Sequence, residues 1–169
     1  MGLKSRSGIN IRDLWKDQIH TYLGITISDF PNAFLIYSPQ GKSKTFRPCP
    51  PPCELHCFEP DDCVPTAPTA LTNGTTLIEA QADLVTALIA QVEKRHAKSV
   101  EPTPEAETEW ADLIAHALEP TLLSHTDSWW NRGNVAGKPQ PLLYIGGLDE
   151  YSKVCLDAIE SGKGFEFKD

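Results

Sequence analysis

The sequence predicts an α/β fold that forms only part of a sheet. Two short apolar runs bounded by turn formers, Ala33–Tyr37 and Leu142–Ile145, read as strands buried on both faces. Three segments with apolar residues at helical spacing read as the helices that cover such strands. Two or three strands cannot bury three helices, so the chain reads as a piece of an α/β protein and not as a whole sheet.

In chain order, residues 1–16 are polar and basic and end in Ile11-Arg12-Asp13-Leu14-Trp15, one short helical turn or a loop with two buried anchors. Thr21–Ile27, rich in β-branched and aromatic residues, reads as a strand or extended segment. Phe30-Pro31-Asn32 is a turn leading into the first buried run. The first helix is placed at about 76–96. There Thr76 and Glu79 form a capping box, and Leu77, Ile78, Gln81, Leu84, Val85, Leu88, Ile89 and Val92 share one face. The second starts with Thr103 as N-cap and Pro104 at its first position, with Glu105, Glu107 and Glu109 in its first turns. Its buried stripe is Trp110, Leu113, Ile114 and Ala117. A long loop, His125–Pro139, carries Trp129, Trp130, Asn131, Asn134 and Lys138, and long loops with aromatic residues are more often functional than decorative. The third helix runs from about Asp149 to Ser161, with Tyr151, Val154, Cys155, Ala158 and Ile159 on one face and Gly162 past its end.

Composition narrows the function classes. The 169 residues suit one domain, with 40% hydrophobic and 22% charged residues. A net charge of −8 argues against a nucleic-acid binder, which needs a basic stripe. No apolar run approaches the ~20 residues that span a bilayer, so no membrane partner is expected. No apolar stretch follows Met1, so no signal peptide is visible and the expected address is cytoplasmic. His20, His96, His116 and His125 are scattered and form no ligand pair, and Cys155 sits on an apolar helical face where a core role is expected.

The order of these pieces carries a resemblance. Thr21-Tyr22-Leu23-Gly24, with Phe30-Pro31-Asn32-Ala33-Phe34-Leu35-Ile36-Tyr37-Ser38-Pro39-Gln40, resembles the last strand of the FAD domain in Baeyer–Villiger monooxygenases. Ala67-Pro68-Thr69-Ala70-Leu71-Thr72-Asn73-Gly74, with Ile78-Glu79-Ala80-Gln81, looks like that family's next segment. Asp127-Ser128-Trp129 through Asn134-Val135-Ala136-Gly137-Lys138-Pro139 looks like its mobile control loop. Tyr144-Ile145-Gly146-Gly147-Leu148 and the terminal Gly164-Phe165 complete the match. It covers roughly residues 8–40 and 67–167. No piece is specific alone; their order is. The sequence departs from the family in having no G-x-G-x-x-G and no F-x-G-x-x-x-H-x-x-x-W, and in carrying Ser38 where the family usually has Gly.

The resemblance implies an incomplete C-terminal fragment of a Rossmann-like flavoprotein with two dinucleotide-binding domains. Residues 1–40 would end the FAD-binding domain, and 67–169 would hold the C-terminal pocket helices and control loop. The activity implied is FAD- and NADPH-dependent oxygen insertion next to the carbonyl of a small ketone, through a flavin peroxide. The fragment by itself is expected to be inactive, because both glycine-rich phosphate turns lie upstream in the family. So does the active-site arginine, and no catalytic residue is expected in this chain. The resemblance assigns cofactor contacts to Thr72, Asn73, Glu79, Trp129, Asn134 and Lys138, and the substrate wall to Thr69, Ala70 and Leu71. A flavin monooxygenase fragment acting on nitrogen or sulfur is the alternative within the same chemistry.

Residues 41–66 interrupt the match. Cys49, Cys53, Cys57 and Cys63, with His56 and several prolines, invite a reading as a metal-binding interaction module, but the spacing does not fit the common zinc modules. No metal site is therefore assigned. The stretch reads instead as a translated intron. An intron that opens GT-A-A-G and closes in AG, splitting a codon after its first base, would read through as Gly-Lys at its start and Thr-Ala at its end. Gly41-Lys42 and Thr66-Ala67 stand at those places.

Overall fold

A computed structural model describes residues 2–37, 72–126, 131, 137 and 139–169. The cysteine cluster and most of the tryptophan loop lie outside the described residues.

The elements follow the helix signals closely and the strand signals poorly. One turn of helix, α1 (Ile11–Leu14), is capped by Asn10, whose side chain accepts from the Arg12 amide. The long helix α2 (Gly74–Lys94) is capped by Asn73, which accepts from the Thr75 amide. The expected Thr76–Glu79 capping box is therefore not used. Asn73 accepts at 3.2 Å from the Thr75 amide and 3.0 Å from its hydroxyl, and starts the helix two residues earlier. Helix α3 (Pro104–Leu118) begins as expected, with Thr103 accepting from the Ala106 amide and Pro104 at the first position. Helix α4 (Leu148–Ser161) ends at Gly162 in the left-handed conformation.

The sheet differs from expectation. Strands β1 (Ser99–Pro102) and β2 (Phe165–Lys168) pair antiparallel, Ser99 opposite Lys168 and Pro102 opposite Phe165. Neither segment carries a strand signal of its own, being four residues long with Pro or Gly at one boundary. The three runs read as strands are buried or partly buried except at Ile36, which is exposed, and join no ladder among the described residues. Thr21–Ile27 closes into a tight turn in which Tyr22 and Thr26 exchange backbone hydrogen bonds. Ala33–Tyr37 is tied to it by the Leu35 amide on the Ile25 carbonyl, 2.8 Å. Leu142, Leu143 and Tyr144 are buried but belong to no helix or strand. A short apolar run reports burial of most of its residues; a strand also needs a partner at the right distance. The mixed helix-and-strand character of an α/β chain is nonetheless present.

Helices α2 and α4 pack against one another, and with α3 they enclose the core. At its centre Trp110 stacks on Tyr144, ring centroids 5.3 Å apart and planes 7° apart, with Tyr151 tilted against both. The assignment of Trp110 and Cys155 to packing holds: both are buried. A second tie closes the periphery. The Glu101 carboxylate, 3% exposed, accepts from Arg6 at 2.8 Å and Lys168 at 2.5 Å, fastening the N-terminal loop to both strands. No described helix is long and apolar enough to cross a membrane.

Gly164 sits where this packing is tightest. It has φ +76°, and a Cβ there would lie 2.7 Å from the Tyr22 ring and 2.8 Å from Ala106 Cβ. Gly164→Ala is expected to cost about 3 kcal/mol in urea denaturation, strain and clash together. Gly8→Ala, at φ +87° with nothing within 4 Å, should cost about 1 kcal/mol from backbone strain alone. Equal losses at the two positions would refute the packing argument.

Candidate functional site

The segment assigned to the cofactor by resemblance ends at the start of α2, and the structure shows what fixes that start. Five apolar residues of the predicted face, Leu77, Leu84, Val85, Leu88 and Val92, pack in or against the core, while Ile78 and Ile89 of that face are exposed. Gln81 lies on the same face and is fully buried. Its Oε1 accepts from the Tyr37 amide at 2.7 Å, and its Nε2 donates to Tyr151 Oη at 3.2 Å. Tyr151 Oη in turn donates to the Leu23 carbonyl at 2.6 Å. Burial holds the Tyr151 phenol well above its ordinary value, so it remains a donor at any physiological pH.

The two backbone groups at the ends of this relay belong to bulky residues in the left-handed region, Leu23 at φ 56° and Tyr37 at φ 59°. Such conformations cost on the order of 1–2 kcal/mol in an ordinary residue and persist only where surrounding contacts over-determine them. Here one amide and one phenol hold both. Beyond the bend, the Tyr37 ring lies against Gly74, the first residue of α2. A Cβ on Gly74 would sit 3.4 Å from Tyr37 Cε2.

The base of the tryptophan loop is built separately. The Gln140 side chain pairs with both backbone groups of Ile19, accepting from its amide and donating to its carbonyl at 2.7 Å each. The Gln140 amide donates to the Asn131 carbonyl at 2.8 Å, while Asn131 Nδ2 reaches the Leu123 carbonyl at 3.1 Å and that of Thr126. A cavity of about 110 Å³ opens between Leu118, Leu123, Asn131, Gln140 and Leu143. A larger cleft of about 310 Å³, lined by Tyr22, Trp110, Leu113 and Val154, has no described residue assigned to cofactor or substrate in its lining.

Of the residues assigned to cofactor or substrate, the structure places three. Thr72 is half-buried, Asn73 caps α2 with its side chain, and Glu79 is exposed on the same helix. Thr69, Ala70, Leu71, Trp129, Asn134 and Lys138 lie outside the described residues, as do His56 and the four clustered cysteines. Among the described residues no group of three or more His, Cys, Asp or Glu could hold a metal ion.

Sequence reasoning placed Gln81 on the apolar stripe without seeing its role; a single amide among leucines was the available signal. It read Glu107 only as one of three acids in the first turns of the second helix. Glu107 is 6% exposed, and its carboxylate accepts from the Ser28 amide at 2.6 Å and the Ser28 hydroxyl at 2.8 Å, tying the N-terminal loop to α3. Burial raises its ionisation above the ordinary carboxylate value, the Ser28 bonds offsetting part of the effect.

The fold and this site define a helix-rich α/β segment organised around the start of one long helix. No family model matches the chain. It is nevertheless similar along almost its whole length to Baeyer–Villiger monooxygenases, as its motif order implied. It is 28% identical over 152 residues to cyclohexanone 1,2-monooxygenase of Acinetobacter sp., covering 89% of this chain and 23% of that protein. Acetone monooxygenase (methyl acetate-forming) of Gordonia sp. strain TY-5 is 28% identical over 166 residues, 96% of this chain and 26% of that one. Among solved structures, cyclohexanone monooxygenase from Rhodococcus sp. Phi1 bound to NADP+ superposes with a TM-score of 0.74 at 31% identity, covering 99% of this chain and 27% of that one. Oxidized steroid monooxygenase bound to NADP gives 0.72 at 27% identity, covering 99% and 26%. The chain thus spans about a quarter of the length of the relatives it matches.

The Glu107 contact makes a pH prediction. A raised folded-state value means a stability contribution fully present below the unfolded value of 4.5 and lost as pH rises through the higher folded value. Glu107→Gln keeps an acceptor for the Ser28 amide and removes the titration. Its urea midpoint, relative to the unmodified chain, should rise between about pH 4 and pH 7. A difference that stays flat over that range contradicts the assignment.

Proposed function

We propose that the chain is the C-terminal part of an FAD- and NADPH-dependent monooxygenase of Baeyer–Villiger type, acting on a small ketone in the cytoplasm and inactive by itself. The observation that carries this is similarity over 89–99% of the chain to ketone monooxygenases, in a segment with the motif order described. Bound flavin and NADPH supply the reducing equivalents and the activation of oxygen.

The described residues fit one wall of a cofactor site. Helix α2 has 21 residues, no acidic residue in its first turn, and Gly74 at its start. Its first amides therefore present positive potential that suits an electron-rich ring edge. Thr72 and Asn73 precede it, and Asn73 keeps the first turn formed through its cap. Glu79 stands further along the same helix. In this reading Thr69, Ala70 and Leu71 line the substrate pocket, while Trp129, Asn134 and Lys138 close the loop over NADP. The Trp129 ring excludes water and its indole N–H donates. Lys138 offers a cation to the cofactor's anionic groups. The phosphate-cradling glycine turns must come from polypeptide outside this sequence.

We further propose that residues 41–66 are a translated intron, supported by the Gly41-Lys42 and Thr66-Ala67 boundaries and by the family-like join that remains on deleting it. Genomic DNA should read GGT at codon 41 and ACA at codon 66, and mature message should omit the segment.

Two expected outcomes test the activity. The full-length protein encoded by the spliced message should oxidise NADPH with cyclohexanone and form the ring-expanded lactone, while the 169-residue chain should do neither. Trp129→Ala in that full-length protein should lower lactone formed per NADPH oxidised about tenfold, because an open loop admits water. A full-length protein that oxidises NADPH but never oxygenates the ketone sinks the reading.

A further inference from the structure

We infer that Gln81 and Tyr151 are positioning residues, which set the start of α2 through the bent backbone at Tyr37. This role rests on reading that start as a wall of the cofactor site. Gln81 lies two turns inside the helix, and its side chain bonds Tyr37 and Tyr151. Its amide fixes the Tyr37 amide, and the Tyr37 ring lies against Gly74. Tyr151, on α4, anchors Gln81 from below and holds the Leu23 carbonyl at 2.6 Å.

The arrangement is more specific than packing requires. A leucine at position 81 would fill the same stripe, and an apolar side chain in a helix face needs no partners. The amide, in contrast, accepts from the Tyr37 amide and donates to Tyr151, whose hydroxyl passes the bond on to Leu23, so the relay ends at two bulky residues with positive φ. Strain stored at such residues is found where geometry has a use. The two strained bends sit in the N-terminal loop, and the relay carries their positions to the first turn of α2. A misplacement of about 1 Å at a cofactor wall can cost about a hundredfold in rate, so a relay that fixes this turn acts on the reaction without contacting it.

The test uses the full-length protein with two substitutions. Gln81→Met keeps the length and shape of the side chain without its polar atoms, and Tyr151→Phe keeps the ring against Trp110 and Tyr144 without the hydroxyl. Flavin content and melting temperature report folding. Lactone formed per NADPH oxidised and KM for cyclohexanone report positioning. Both variants are expected to retain flavin while coupling falls and KM rises, each about tenfold. A structural role alone would reduce the amount of holoenzyme and leave both ratios at the unsubstituted values, and that result overturns the inference. If Gln81→Met fails to fold, Tyr151→Phe decides. A full-length protein that oxygenates no ketone before any substitution defeats the functional reading instead. The relay is then read in the 169-residue chain, where Gln81→Met should speed exchange of the Tyr37 amide about tenfold, and unchanged exchange refutes it.

Discussion

Burying an uncharged amide costs a few kcal/mol unless its polar atoms find partners, and the fold is arranged to meet that condition at Gln81. Its acceptor takes the Tyr37 amide and its donor reaches Tyr151, whose hydroxyl continues to the Leu23 carbonyl. Four separate stretches of chain meet there: the turn at Leu23, the bend at Tyr37, helix α2 and helix α4. Removing any one leaves a buried polar group without its bond, so the four are specified together. The aromatic group of Trp110, Tyr144 and Tyr151 provides the apolar floor on which this polar chain rests.

The periphery repeats the device with charge. Glu107 binds Ser28 at the end of one N-terminal turn, and Glu101 collects Arg6 and Lys168. Asn32 adds a neutral version, its amide donating to the Lys98 carbonyl and its side-chain oxygen accepting from the Val100 amide, so the loop lies along β1 without forming a strand. Residues 2–37 hold little regular structure. They are ordered by side chains reaching from later elements, which satisfy backbone groups that a sheet would otherwise pair.

That arrangement explains what was legible in the sequence. Helices announce themselves locally, through period, cap and terminator, and α3 and α4 agree with the expectation to within a residue at each start. The start of α2 moved because Asn73 competes for the cap more effectively than Thr76. Strands depend on a distant partner: Ser99-Val100-Glu101-Pro102 finds one in β2, while the more strand-like Leu142–Ile145 finds none among the described residues. The site was legible in part. Gln81 could be placed on its face, but Tyr151 is 70 positions away and nothing in either neighbourhood names the other. Glu107 looked like any acid in a first turn because burial is a property of the fold and not of the pattern.

The contact between Tyr37 and Gly74 has a topological consequence. Thirty-six residues separate the two positions in the sequence, yet the Tyr37 ring lies against Gly74. Closing a loop between neighbouring anchors depends only logarithmically on its length. Extending a ten-residue connection by the 26 residues of 41–66 adds about 1 kcal/mol of closure entropy. The core places almost no tariff on what is spliced between those anchors. A junction whose two ends already touch is, by this arithmetic, an inexpensive place to lengthen a chain.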